Sequence, residues 1–479
     1  MPQQPIPFVP NQQSGLEPMA GAMPVAINVV MEADGSLRRR PGIATYSTTT
    51  VDADGIAGVY ATVDGRIYAA GDTDNARTLY RLVNGVSSTL SSAATSFLNG
   101  ALRPQFTETE SIVAIAGGRD IQQILLADDV STRLSSEAPQ SSHVVANGAR
   151  LVANDVTVDK SYVSYSSLGA GSAVTPFTEW LTSNARSSGY IIATARPDLV
   201  VALTDNASEL FAFGNTSLQI YGADQSRDYV SIAVREFGCI APYSVVKMDS
   251  KVLWLDHLRR VILTDGREYK VVSGQIKATL DAMATVSDCF AYRVCLGGID
   301  VACFCFPTDG RTFVYQEDGG WSVWMGWNNA TANYQRLGIN AVCADPATGK
   351  VLAGMTSGKV GLMSRTALTD LGDPIVASVT TGYQSRGTDA RKHCKTVRLA
   401  FRRGETVLTG EPMAQLSWRD DGGPWGAPYR VGLGVSGDYD PVVELRSLGV
   451  YRRREWNLEF SGAEDVVLVS ATEDFEVLE

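Results

Sequence analysis

Chemistry in this chain would have to come from very few side chains. Of the three histidines, His143, His257 and His393, none lies near a cysteine or a second histidine at the spacing a metal requires. Cys303 and Cys305 stand two apart and would share one face of a strand, yet no two further ligands accompany them. His-Glu-x-x-His, Cys-x-x-Cys and Gly-x-Ser-x-Gly are all missing. On these grounds no catalytic residue, metal or cofactor is expected.

Four further patterns need weighing. Gly432-Leu-Gly-Val-Ser-Gly437 matches a dinucleotide fingerprint, but that loop must open a helix, and Asp438-Tyr-Asp-Pro441 follows instead. It reads as a flexible loop. Thr308-Asp-Gly-Arg-Thr-Phe is similar to an aspartate box of the sialidase propellers, without recurring at a blade-like spacing, so Asp309 and Gly310 read as a turn. Trp321, Trp324 and Trp327 could form a stacking surface for a sugar or a partner, or could pack between structural units. Arg386, Arg391, Lys392, Lys395, Arg398, Arg402 and Arg403 are opposed only by Asp389, and form either a solvated face or a patch for an acidic neighbour.

The elements that would hold these residues are strands. Asp-Gly begins at Asp34, Asp54, Asp64, Asp265, Asp309, Asp318 and Asp421, and Asn-Gly at Asn84, Asn99 and Asn147. Both dipeptides tolerate the positive φ of tight hairpin turns. Between them run short segments rich in Val, Ile, Tyr and Phe, such as Ser111-Ile-Val-Ala-Ile-Ala and Lys251-Val-Leu-Trp-Leu. Helical periodicity is rare. Ile276, Leu280 and Met283 predict one helix over 273–286 behind a Ser273 cap, and a short helical turn is expected over 178–184 around Trp180.

Several hairpins look like loose copies of one unit, including Thr62-Val-Asp-Gly-Arg-Ile-Tyr and Cys343 to Gly354. They are similar to the inner strands of β-propeller blades, whose repeat runs about 40 to 50 residues. Residues 51–380 would then hold roughly seven blades. From about Gly382 the alternation lengthens: Val397, Leu399 and Phe401 face one way and Arg398 and Arg402 the other. The expected class is therefore mainly β, a propeller over 51–380 with a β-sandwich-like platform over 381–479. Residues 1–50, interrupted by prolines, would pack on that platform as an extended segment, and Glu473, Asp474, Glu476 and Glu479 would form an acidic rim.

Composition narrows the function. At 479 residues with 44% hydrophobic and 19% charged side chains the chain can bury a large core, and disorder is excluded. No apolar stretch approaches the roughly 20 residues of a membrane helix, so no membrane insertion is expected. The first residues carry neither a basic region nor an apolar one, which gives an expectation of cytoplasmic synthesis, with the seven cysteines reduced. A net charge of −11 argues against a protein that clamps nucleic acid. Arginine outnumbers lysine 32 to 9, a bias found at protein interfaces.

Asn28 followed by Gly35-Ser-Leu37-Arg38-Arg39-Arg40-Pro41-Gly42 resembles the N-terminal signature of the tail nozzle proteins of short-tailed bacteriophages, also called packaged-DNA stabilisation proteins or tail accessory factors. Glu209 to Tyr221, Gly238-Cys-Ile-Ala-Pro-Tyr-Ser-Val and Arg454-Glu-Trp-Asn-Leu-Glu-Phe are similar to later pieces of the same family, in the same order. The resemblance implies a non-enzymatic virion tail protein without cofactors. It would form a homo-hexameric ring below the portal-adaptor ring, contact a tail needle or plug and fibres or spikes, retain the packaged DNA, and let double-stranded DNA pass without sequence preference. The basic cluster would then dock the adaptor, and removing Arg391, Lys392, Arg398 and Arg402 should weaken docking while leaving the monomer folded. The Arg38 to Arg40 run would bind an acidic neighbour or stay a solvated turn. The rival class is a glycan-binding or glycan-hydrolysing propeller, to which the tryptophans and Asp309 would matter.

Overall fold

Asn84 and Gly85 both adopt left-handed backbone, at φ 50° and 81°, and join Leu79–Val83 to Val86–Thr89 with Val83 opposite Val86. A two-residue turn of this kind matches the twist of the strands it connects. A Cβ on Gly85 would stand 2.3 Å from the Tyr46 carbonyl oxygen, so only glycine fits there. Turns like this one produce a nearly all-β protein. The computed structural model describes residues 3–8, 26–72, 77–90, 102–168, 175–180, 188–193, 198–223, 229–403, 413–433, 440–462 and 464–478.

Six four-stranded antiparallel units follow one another along the chain, and a seventh is completed by a strand from before the first. Blade 1 is Ile56–Ala61, Ile67–Gly71, Leu79–Val83 and Val86–Thr89. Blade 2 is Gln105–Glu108, Ile112–Ala116, Gln122–Leu125 and Val130–Arg133. Blade 3 is Val144–Asn147, Arg150–Asn154, Tyr162–Tyr165 and Gly189–Ile192. Blade 4 is Val200–Asn206, Glu209–Gly214, Leu218–Ala223 and Tyr229–Arg235. Blade 5 is Val246–Met248, Lys251–Leu255, Val261–Thr264 and Tyr269–Val271. Blade 6 is Phe290–Leu296, Ile299–Phe306, Arg311–Gln316 and Gly320–Asn328.

Blade 7 takes three strands, Ile339–Ala344, Val351–Met355 and Val360–Ser364, from late in the chain and its fourth, Gly42–Thr45, from before blade 1. The ring is thus closed by a strand from the segment expected on the platform.

Packing explains why the ring holds. In Ile112–Ala116 every residue is buried, yet the side chains alternate between two cores: Val113 and Ile115 pack against blade 1, while Ile112, Ala114 and Ala116 pack against blade 3. Trp254 likewise faces blade 4 while Leu253 and Leu255 face blade 6. Each junction between successive blades, including blade 7 back to blade 1, has its own apolar core. The fold is a β-propeller.

The remaining strands build a sandwich. One sheet runs Val29–Met31, Leu37–Arg39, Val466–Val477, Lys392–Arg403, Val442–Arg446, with Gln4–Pro5 and Val450–Tyr451 beside it. The other is Ala377–Thr380, Arg454–Phe460, Met413–Asp420 and Tyr429–Gly432. Val397, Leu399 and Phe401 meet Trp456, Leu458 and Phe460 in a common core, as the alternation predicts. Ala26–Ile27 pairs with both Gly320–Asn328 and Ala377–Thr380, so one continuous sheet runs from blade 6 into the sandwich.

Three local expectations change. The helix is Lys277–Ala282, shorter than 273–286, because the Ser273 hydroxyl does not cap it but accepts the Val261 N–H at 3.0 Å. Ile276, Leu280 and Met283 are nevertheless buried in one core. The second helical turn is Thr175–Thr178, ahead of Trp180. Residues 181–184 of the expected turn lie outside the described residues. Glu473 is not on a rim: it is buried, accepting from Arg386 and from the Tyr451 hydroxyl at 2.6 Å.

Candidate functional site

The first strands of the blades form the inner ring: those of blades 2, 3 and 4 touch in succession, as do those of blades 5, 6, 7 and 1. Inside it, Gln105, Phe106 and Thr107 of blade 2, His143, Val144 and Val145 at blade 3, Leu203 to Asp205 of blade 4, Pro242, Tyr243, Val245 and Lys247, and Ala291 of blade 6 surround an axial cavity. Its volume is about 210 Å³. Lys247 Nζ donates to Asp205 Oδ2 at 2.8 Å, and both side chains are partly exposed, at 40% and 27%. This pair forms the wetter end.

His143 forms the dry end. It is buried, stacks on Tyr243 with ring centroids 5.1 Å apart, and shares a 3.0 Å hydrogen bond between Nδ1 and the Ser142 hydroxyl. Burial pulls its pKa down from 6.5 to about 4, so the ring is neutral at physiological pH. Nearby Arg103 covers the Phe290 ring, 3.3 Å from its centroid, and donates to the Asn340 carbonyl at 2.7 Å. Desolvation lowers the Arg103 pKa to about 10.

A second concentration of buried charge lies where propeller and sandwich meet, and it is made from the signature residues. Asn28 takes φ 56°, which turns its side-chain oxygen toward both Arg40 Nε, at 2.9 Å, and the Met325 N–H, at 2.8 Å. Its Nδ2 donates to the Val376 carbonyl at 2.8 Å. Arg40 also donates to Pro41 O, Met325 O and both oxygens of Asp370. Gly42 lies so close to the 367–369 backbone that a Cβ would meet Ala367 O at 2.4 Å. Arg39 is buried and donates to the carbonyls of Gly462 and Glu464, Arg38 pairs with Asp465, and Leu37 enters the sandwich core. The arginine run is therefore not a solvated turn, because intramolecular partners take all three guanidinium groups.

The basic cluster separates into two faces. Lys392, Arg386 and Arg403 point inward: Lys392 Nζ donates to Thr388 O and Ala390 O, Arg386 holds Glu473, and Arg403 holds Glu464. Lys395, Arg398 and Arg402 point outward and pair with Glu476, Glu444 and Asp34. Arg391 is exposed at the start of the strand. The seven form no single patch: Arg386 and Arg391 precede the strand, and within it the pleat, stepped by β-bulges at Cys394/Thr396 and Ala400/Phe401, sends Lys392 and Arg403 inward and Lys395, Arg398 and Arg402 outward.

The tryptophans do not share a surface either. Trp321 is buried between blades 5 and 6 and donates to Val272 O at 2.7 Å, whereas Trp324 is buried between blades 6 and 7. Trp327 packs edge-on against Tyr334. Cys303 and Cys305 lie in the blade 6–7 core, and no metal-holding group of side chains occurs among the described residues. Asp309 ion-pairs with Arg311 at 3.3 Å in the turn between two strands of blade 6. Gly434 to Gly437 of the Gly-rich match lie outside the described residues.

Asp205, Lys247, Arg103, Asp370 and Glu464 were not legible in the sequence. Their partners are distant in sequence: 42 residues separate Lys247 from Asp205, 61 separate Arg403 from Glu464, 237 separate Arg103 from Asn340 and 330 separate Arg40 from Asp370. The available signal was a lone charge in or beside an apolar run, as in Val200-Val-Ala-Leu-Thr-Asp205.

No family model and no curated protein matches this chain. Among solved structures it is similar to a streptogramin B lyase, at 8% identity and a TM-score of 0.45 over 68% of this chain and 98% of that one. It is also similar to a catalytically inactive virginiamycin B lyase from Staphylococcus aureus solved with quinupristin, at 10% identity and 0.43 over 67% and 98%. The Pan2 WD40 domain of Neurospora crassa stands at 10% and 0.40 over 69% and 96%. These are likenesses of fold and say nothing of what this chain does.

Proposed function

We propose that the protein is a non-enzymatic structural subunit of a tail nozzle in a short-tailed bacteriophage, placed in the virion tail and assembled as a homo-hexameric ring against the portal adaptor. The observation that carries this reading is the joint around Asn28, Arg40 and Asp370. The residues that resemble the nozzle signature are those that tie the propeller to the sandwich, so the motif has an architectural job of the kind a ring subunit under load requires. The two bodies are linked by a continuous sheet, by a buried ion pair and by a strand that closes the ring.

In this reading DNA passes between copies and not through a propeller. The axial cavity, at about 210 Å³, is far too small for a duplex whose major groove alone is about 12 Å wide. A net charge of −11 would let phosphate slide past without sticking. The adaptor contact would use the outward residues Arg391, Lys395, Arg398 and Arg402, and the surface ion pairs of the last three can be exchanged for partners on a neighbour at small cost.

Native mass spectrometry of the purified chain, alone and with a portal-adaptor ring from the same source, tests the proposal. Conversion of monomer to a six-copy ring on the adaptor is expected. A monomer indifferent to the adaptor would overturn it.

A further inference from the structure

The axial cavity has no part in the nozzle reading, yet it is built. We propose that it binds one neutral, hydroxyl-rich ring of monosaccharide size. Size sets the first limit. A volume of about 210 Å³ corresponds to roughly seven waters at ~30 Å³ each, enough for a single sugar ring and below the ~300 Å³ at which pockets for drug-sized ligands begin.

Charge sets the second. Asp205 and Lys247 neutralise each other across 2.8 Å, and the His143 ring is neutral, so the lining presents no net charge to attract an anion or a cation. Unused hydrogen-bonding capacity sets the third. Asp205 Oδ1 accepts nothing from the described residues, two of the three Lys247 protons are free, and the Gln105 side-chain amide has no protein partner there. Thr107 Oγ1 accepts the Ala146 N–H at 2.9 Å and keeps its own proton to donate. A ligand with several hydroxyl groups, each both donor and acceptor, satisfies such a mixture better than a phosphate or an amine. Tyr243 and Val245 supply apolar walls against which the C–H face of a sugar ring would rest, while the Phe106 ring is stacked on Tyr60 between blades 1 and 2.

The test is saturation-transfer NMR on the full chain with glucose, galactose, mannose and N-acetylglucosamine as separate probes, and phosphorus-31 line broadening with inorganic phosphate as a fifth. Saturable transfer from at least one sugar is expected, weakened at least tenfold in both Asp205→Asn and Gln105→Ala, with unfolding curves showing that each variant is folded. No saturable signal from any sugar would overturn the proposal, as would phosphate binding in place of sugar or sugar binding that both variants leave intact. The outcome does not depend on whether the chain assembles on an adaptor.

Discussion

Asn28 Oδ1 accepts from Arg40 Nε at 2.9 Å while Arg40 clasps the Asp370 carboxylate, so two residues twelve apart in sequence reach a third more than 300 residues away. The Arg40 side chain is fully buried and that of Asp370 nearly so. Removing one member of a buried pair leaves the other charge without compensation. Arg40→Leu should therefore cost about 3–5 kcal/mol in urea unfolding. Arg40→Leu with Asp370→Leu should recover much of that loss, a coupling that a double-mutant cycle measures directly. Equal losses in the single and double variants would show that the joint is held by shape alone.

His143 makes stability depend on pH with a definite sign. Its pKa is about 4 in the folded chain against 6.5 when unfolded, so the unfolded state binds the proton more readily. The stabilisation from keeping the ring neutral is complete above pH 6.5, is lost as pH falls toward 4, and changes no further below that. The total is about 3 kcal/mol. Urea midpoints for the wild type at pH 7 and pH 4.5 should differ by more than those of His143→Gln. Parallel pH curves for the two proteins would remove His143 from the account.

What the sequence made legible was whatever depends on periods and turns. Val397, Leu399 and Phe401 announce a half-buried strand because a pleat alternates every residue, and Asn84-Gly85 announces a hairpin because both residues accept positive φ. The cluster from Arg386 to Arg403 misled because charge was counted along the chain, whereas the pleat sends Arg403 to a buried Glu464 and Arg402 to solvent. Glu473 holds an inward position between Ala471 and Phe475 in the same alternation, so its burial was readable and its acidity concealed it. The cavity was not readable, since its lining comes from five stretches of chain that meet only when the ring closes.

Two classes of basic residue in the sandwich should respond oppositely. Arg403→Ala strips a carboxylate whose side chain is 2% exposed and should cost about 3–5 kcal/mol. The combined change of Arg391, Lys395, Arg398 and Arg402 to Ala touches only solvated positions and should leave the unfolding midpoint where it was. If those four contact the adaptor, the same variant should lose ring assembly in native mass spectrometry while its melting curve overlays the wild type. Unaltered assembly would move the docking surface elsewhere, and a lowered melting temperature would show that the ion pairs with Glu476, Glu444 and Asp34 support the sheet.

Thiol reactivity offers a check on the propeller itself. The nucleophile is the thiolate, so a buried cysteine with a raised pKa reacts slowly. Burial pushes Cys289 and Cys303 well above the ordinary thiol range and Cys239 and Cys343 up to about 12, and Cys305 and Cys394 are also buried. Cys295 alone is exposed, at the end of Phe290–Leu296, where the pleat turns it away from the core that receives Val294. Brief treatment of the native protein with iodoacetamide should add one carbamidomethyl group before any second, and peptide mapping should place it on Cys295. Cys295→Ser should abolish this fast step. Two or more adducts forming together in the native protein would mean that the blade 6–7 core opens on the labelling timescale, because Cys303 and Cys305 become accessible only when those blades part.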